Sequence, residues 1–353
     1  MDKKRFIEYD IMRILACFCV IMIHAAVFDQ ESLYGNTTWA YQWIRIWGVL
    51  SRWAVPAFVM LSGMMILPRG EEVSVSRLML HRVIRMLAAY IAWSCVYSAY
   101  NVYVLDIVYA PTKFKTFLDG CFSGETHMWY LPMLAGLYIA SPLLAVLVKK
   151  LERKWALYWL AGLFLFSSVI PFFVKLNIPF ASTIIASING YMDLQFLGGW
   201  TLYFVLGYYI RQHQFTRKEK CAVYVTALVG FLYTFERTIL YGLRNGTAYG
   251  ILPYEYPNIV LMSVGVMVVF KEEVSRIRWS EEARKRISGI SGLTFGIYLV
   301  HILLLKVCYG AGINIQMLHP AVSVPLVSAA VFVCGAILTW MIHKIPVLGK
   351  YLA

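Results

Sequence analysis

The sequence predicts an all-α integral membrane protein, a bundle of about ten transmembrane helices with both termini cytoplasmic. Hydrophobic residues make up 60% of the 353 positions and charged residues only 14%, with a mean hydropathy of +0.65. No soluble core absorbs that much apolar surface. The apolar residues also gather into runs of about twenty, the length that crosses a hydrocarbon layer of about 30 Å. A third observation orients the bundle: the basic residues behind the net charge of +13 alternate between loops, as the positive-inside rule requires. The charge therefore calls for a membrane lipid environment, and no nucleic-acid partner is expected.

The apolar runs fall at 11–28, 44–67, 83–105, 128–148, 155–174, 196–210, 221–240, 257–270, 288–308 and 321–343. The eighth is short, and the fifth to seventh have indistinct edges. The first is no cleavable signal, because it is long, lacks a small-residue cleavage site and contains Arg13 and His24. Lys3, Lys4 and Arg5 precede it, Arg69, Arg77, Arg82 and Arg85 flank the start of the third run, and Lys149, Lys150, Arg153 and Lys154 separate the fourth from the fifth. Arg211, Arg217, Lys218 and Lys220 follow the sixth, Lys271, Arg276, Arg278, Arg284, Lys285 and Arg286 the eighth, and Lys344 and Lys350 the tenth. The opposite loops hold few cations, namely Arg45, Lys113, Lys115, Lys175 and Arg244. On that side the stretches 106–127, 175–195 and 241–256 are long and aromatic, and read either as a mouth for a sugar or lipid head group or as an interfacial belt. No loop exceeds roughly 22 residues, so residues 1–353 are expected to form a single transmembrane domain, with no soluble extracytoplasmic one and any chemistry inside the bundle. The seven cysteines lie mostly in apolar runs with no Cys-x-x-Cys, so neither a disulfide framework nor a metal site is expected.

The first run holds the most informative pair. Arg13 and His24 are eleven residues apart, three turns plus about 20°, so both point to one side of the helix and stand roughly 16 Å apart along it. An ionisable residue inside a membrane helix costs several kcal/mol unless a partner or cavity compensates, and is a functional hypothesis by default. Asp10, one turn before Arg13, is placed to pair with it as structural support. Ser62-Gly63 falls in mid-helix, where small residues let backbones approach closely. Tyr298 and His301 share a face at i, i+3. Arg52 and Arg237 are further membrane charges with no partner evident in the sequence.

Several stretches, in order, resemble acyltransferase family 3, the bacterial membrane proteins that O-acylate cell-surface glycans. They are Asp10-x2-Arg13-x2-Ala16-x3-Val20-x3-His24, Pro56-Ala-Phe58-Val-Met-Leu-Ser62-Gly63, Arg82-x-x-Arg85, His127-Met-Trp129-Tyr130-Leu131, Gly136-Leu-Tyr138-Ile-Ala-Ser141-Pro142 and Tyr298-Leu-Val-His301. Together they span residues 10–301. The resemblance implies acyl transfer from cytoplasmic acyl-CoA, most simply acetyl-CoA, to a hydroxyl of an extracytoplasmic cell-surface or lipid-linked glycan acceptor. Some relatives add an extracytoplasmic esterase-like domain, which this chain is expected to lack. Ala57 and Met64-Met65 stand where bulkier aromatics are frequent, which leaves the acyl chain length open.

On that reading His24 is the catalytic general base, since a hydroxyl is a poor nucleophile and a partly desolvated imidazole stays neutral and accepts a proton. Its competing reading is a core histidine bonded to a backbone carbonyl. Arg13, Arg82 and Arg85 suit the phosphates of coenzyme A; Arg13 could instead snorkel, and the Arg82/Arg85 pair could be only a topology signal. Ser62 packs helices or lines an acyl tunnel. His127, two residues after Glu125 and two before Trp129, reads as a sugar or proton-relay contact or as a solvated loop histidine; Tyr130, Tyr298 and His301 complete the expected acceptor contacts. Direct transfer in a ternary complex is favoured over an acyl-enzyme, because no base is placed beside Ser62. The alternative from another class is a transporter or flippase in which Arg13 and His24 form an anion or proton pathway; no inverted repeat supports it.

Overall fold

The computed structural model describes residues 6–27, 38–69, 78–176, 182–186, 198–246, 252–345 and 349. Every regular element among them is helical. Among the described residues eight stretches are long and apolar enough to cross a membrane: Ile7–Val27, Trp39–Ile66, His81–Val104, Lys113–Lys150, Arg153–Lys175, Arg217–Asn245, Glu281–Gly310 and Pro320–His343. They coincide with eight of the expected runs. The other two expected runs are helical but short, Trp200–Gln212 with 13 residues and Pro257–Glu272 with 16, so they rise only about 20 and 24 Å. Lys3, Lys4, Arg5, Arg77, Lys350 and the loop segments 187–195 and 247–251 lie outside the described residues.

The helices are α1 (Ile7–Val27), α2 (Trp39–Ser51), α3 (Ala54–Ile66), α4 (Ile84–Ala99), α5 (Lys113–Ser123), α6 (Tyr130–Lys150), α7 (Arg153–Phe164), α8 (Trp200–Gln212), α9 (Arg217–Phe235), α10 (Pro257–Glu272), α11 (Glu281–Gly310) and α12 (Pro320–His343). Wide π turns extend α4 through Tyr100–Val104 and α9 through Glu236–Leu240. Local chemistry sets the starts. Thr216 and Glu219 form a capping box on α9, the Ser280 side chain accepts from the Ala283 amide on α11, and Pro257 and Pro320 stand in the first turns of α10 and α12, where a missing N–H costs nothing. Gly124, at φ +73°, closes α5.

α1 lies at the centre of the bundle, packed by α2, α3, α11 and α12. Met12, Ala16, Ile21 and Ala25 are fully enclosed, so the helix that carries the charged pair faces protein on most sides. α3 and α8 approach backbone to backbone. A Cβ on Gly63 would stand 1.8 Å from the Phe204 carbonyl oxygen, and one on Gly207 would stand 2.0 Å from that of Met60. The close approach expected at Ser62-Gly63 is therefore real: Gly63 meets the Phe204 backbone on α8, and one turn away Gly207 meets that of Met60. Arg211, a turn further on, donates from Nη1 to the Met64 carbonyl at 2.7 Å and ties the same two helices.

Candidate active site

On α1, Arg13, Val20 and His24 lie seven and four residues apart, the spacing of a single helix stripe, and all three border one cavity of about 230 Å³. The other walls come from Val55, Phe58 and Ser62 on α3, from the segment entering α6, from Thr294, Phe295 and Tyr298 on α11, and from Tyr254. Arg13 and His24 thus open onto the same space, which their helical phase allowed but could not establish.

The Arg13 end is built from α1 and α11. Asp10 is 1% exposed and accepts hydrogen bonds from Ser291 Oγ at 2.7 Å and Ser288 Oγ at 3.2 Å, while its Oδ1 pairs with Arg13 Nη1 at 3.2 Å. A carboxylate held by two hydroxyls can orient the guanidinium beside it. Arg82 sits over the Tyr138 ring at 5.9 Å and Arg85 over the Phe295 ring at 5.8 Å. Neither lines the cavity, but Phe295 does, and Tyr138 packs beside Ser62. The two arginines therefore flank the Arg13 end from separate walls.

At the other end three histidines meet. The ring centroids of His24 and His301 are 5.2 Å apart, those of His127 and His301 4.8 Å, and those of His24 and His127 6.1 Å. His24 is half-buried and borders the cavity, whereas His127 and His301 are enclosed. His301 Nδ1 lies 2.6 Å from the Tyr298 carbonyl, an acceptor only, so Nδ1 carries the proton and Nε2 the lone pair of the neutral ring. Tyr298 in turn donates from its hydroxyl to the His127 carbonyl at 2.8 Å. The second bond ties α11 to the short turn Thr126–Trp129 that enters α6.

His127 is no solvated loop histidine; that turn carries it inside, 2% exposed. Glu125 does not serve His127 either. It pairs with Lys306 and accepts from Asn101 Nδ2 at 3.3 Å, in a site where both charged side chains are nearly buried. Trp129 is 42% exposed and stacks with Trp200 at 5.2 Å and Tyr254 at 6.3 Å. Tyr130 packs against Phe58 and Tyr298, at 6.5 and 5.7 Å. Tyr254 belongs to the aromatic stretch 241–256 that the sequence offered as a possible mouth, whereas Trp200, Lys306 and Tyr97, whose ring centre lies 5.3 Å from that of His127, escaped the sequence reading, since each is one of many aromatic or basic residues until the fold selects it. Among the described residues no group of His, Cys, Asp and Glu is placed to hold a metal ion.

The arrangement can bind an anion at one end of an apolar slot and accept a proton at the other. No curated protein and no solved structure matches the chain. The acyltransferase domain of acyltransferase family 3, however, matches residues 6–343, nearly the whole sequence, and together with the apolar helices this makes the chain a membrane acyltransferase belonging to that family.

Proposed function

We propose that the protein is an O-acyltransferase of a bacterial cytoplasmic membrane, moving an acyl group, most simply acetyl, from cytoplasmic acyl-CoA to a hydroxyl of an extracytoplasmic cell-surface or lipid-linked glycan. The observation that carries this reading is the single cavity with Arg13 at one end and His24 at the other. The basic loops place the Arg13 end on the cytoplasmic side, where acyl-CoA is made, and His24 toward the opposite face. Arg13, with Arg82 and Arg85 beside it, meets the diphosphate and 3′-phosphate of the donor, and the pantetheine arm runs along the slot past Ser62 and Phe58.

His24 removes the proton of the acceptor hydroxyl as its oxygen attacks the thioester carbonyl. The tetrahedral intermediate collapses, the carbon–sulfur bond breaks, and the CoA thiolate takes the proton from His24. The acyl ester and free CoA leave on opposite sides. A positioned base contributes about 10²- to 10⁴-fold to such a step. His301 and His127 pack around the His24 ring and limit its rotation, and Tyr298 holds both. Trp129 and Tyr130 offer ring faces to a sugar, with the apolar faces of the pyranose against them.

The test is transfer of radiolabel from acetyl-CoA to a membrane glycan fraction by the purified protein in lipid nanodiscs, with free thiol measured in parallel. Labelled glycan and thiol in equal amounts are expected. Uptake of a solute into proteoliposomes without CoA, with no labelled glycan, would overturn the reading.

A further inference from the structure

Arg52 is one of the membrane cations that the reaction described above leaves unused. It stands in the turn between α2 and α3, in the middle of the apolar stretch Trp39–Ile66. Its Nε donates to the Leu252 carbonyl at 2.6 Å and its guanidinium carbon lies 4.1 Å from the centre of the Tyr254 ring. Those contacts take one of five donors and one face of the group. Among the described residues no carboxylate pairs with it; Glu255, in the same segment as Leu252 and Tyr254, is exposed and makes no ion pair with it. A guanidinium at such a position is costly without an anion, and its planar fork is shaped for a carboxylate or phosphate.

Its surroundings say what kind of anion. Tyr254, on which Arg52 packs, lines the cavity, and so does Val55, one turn along α3. Tyr254 lies 5.5 Å from Trp200 and 6.3 Å from Trp129, so the guanidinium borders an aromatic platform at the His24 end. Aromatic faces take the C–H face of a pyranose, and a fixed guanidinium beside them takes a negative substituent on the same ring.

We propose that Arg52 is the specificity determinant for an anionic acceptor sugar, one bearing a carboxylate or a phosphate, seated on the Trp129–Trp200–Tyr254 platform. This rests on the reading of the His24 end as the acceptor side. Arg52 holds the negative group and thereby fixes which hydroxyl of the ring faces His24.

Binding is measured without transfer, by quenching of tryptophan fluorescence in the full-length protein in nanodiscs, with methyl β-D-glucuronide, glucose 1-phosphate and neutral methyl β-D-glucoside as probes. Wild type is expected to bind at least one anionic probe about tenfold more tightly than the glucoside. Whichever anion binds identifies carboxylate or phosphate as the group read. Arg52→Gln should abolish the preference and leave glucoside binding unchanged, and Arg52→Lys should keep part of it. Equal binding of all three probes by wild type, no saturable response to either anion, or an equal loss of all three in Arg52→Gln would overturn the proposal; the last would make Arg52 only a strut for the Leu252 segment. The wild-type comparison decides even if Arg52→Gln fails to fold. Anion preference without acyl transfer would sink the transferase reading alone, and transfer with no anion preference would sink this one alone.

Discussion

At the scale of single residues, the proposed mechanism divides the work between Arg13 and His24, so their substitutions should separate in kinetics. His24→Ala removes the base but leaves the donor site intact, so transfer should fall by about 10²- to 10⁴-fold while acyl-CoA binding by calorimetry stays near wild type. A folded His24→Ala protein that transfers at the wild-type rate would end that assignment. Arg13→Ala should instead raise KM for acyl-CoA with a smaller effect on kcat, because a phosphate contact is made equally in the ground and transition states. Asp10→Asn should produce a weaker form of the same defect, since Ser288 and Ser291 can still hold an amide but the charge that orients Arg13 is gone. The Arg13/His24 pair and Asp10 were legible because they share one helix, where 3.6-residue periodicity converts spacing into direction. His127 and His301 were visible only as separate motif positions. Their meeting with His24 depends on how α1, α11 and the turn before α6 cross, and no local rule encodes a crossing.

Between elements, two contacts hold the site's walls together. The α3–α8 contact admits no side chain at Gly63 or Gly207, where a Cβ would fall within 1.8 and 2.0 Å of a carbonyl oxygen of the facing helix. Gly207→Ala should therefore push α8 from α3 and destabilise the protein by about 1–3 kcal/mol, read as a loss of thermal stability in detergent, and should widen the slot beside Ser62. The second contact is the Glu125–Lys306 pair, which joins the turn bearing His127 to the helix bearing His301. Lys306→Met leaves a nearly buried carboxylate unpaired and should cost about 3 kcal/mol or more, whereas the double variant Glu125→Gln/Lys306→Met should recover much of that loss. If the single and double variants melt alike, the pair contributes nothing to holding the turn. The sequence suggested a tight helix contact at Ser62-Gly63 because small residues in mid-membrane are there for approach. It gave no hint that α8 is the facing helix, with Phe204 against Gly63 and Gly207 against Met60, nor that Glu125 pairs with Lys306, a lysine that only the fold brings close.

Across the whole molecule, the vertical order of the site depends on topology. With the basic loops cytoplasmic, Cys221, an exposed residue that follows Lys220, stands near the cytoplasmic face. In a variant retaining only that cysteine, a membrane-impermeant maleimide should label inverted vesicles and spare intact spheroplasts; the reverse pattern would place Arg13 on the outer side and invert the proposed route. The sequence by itself determined the all-α class, the apolar runs that became helices, and the shared face of Arg13 and His24, because hydropathy and periodicity are local properties that a bilayer reads directly. The sixth and eighth runs, the one with indistinct edges and the other short in the sequence, form helices of 13 and 16 residues. Only the tertiary structure decided that one cavity joins the arginine to the histidine, that three histidines cluster at its end, and that Arg52 borders the aromatic platform. Each of these depends on side chains distant in the chain occupying the space between crossing helices, which is set by the packing of the whole bundle.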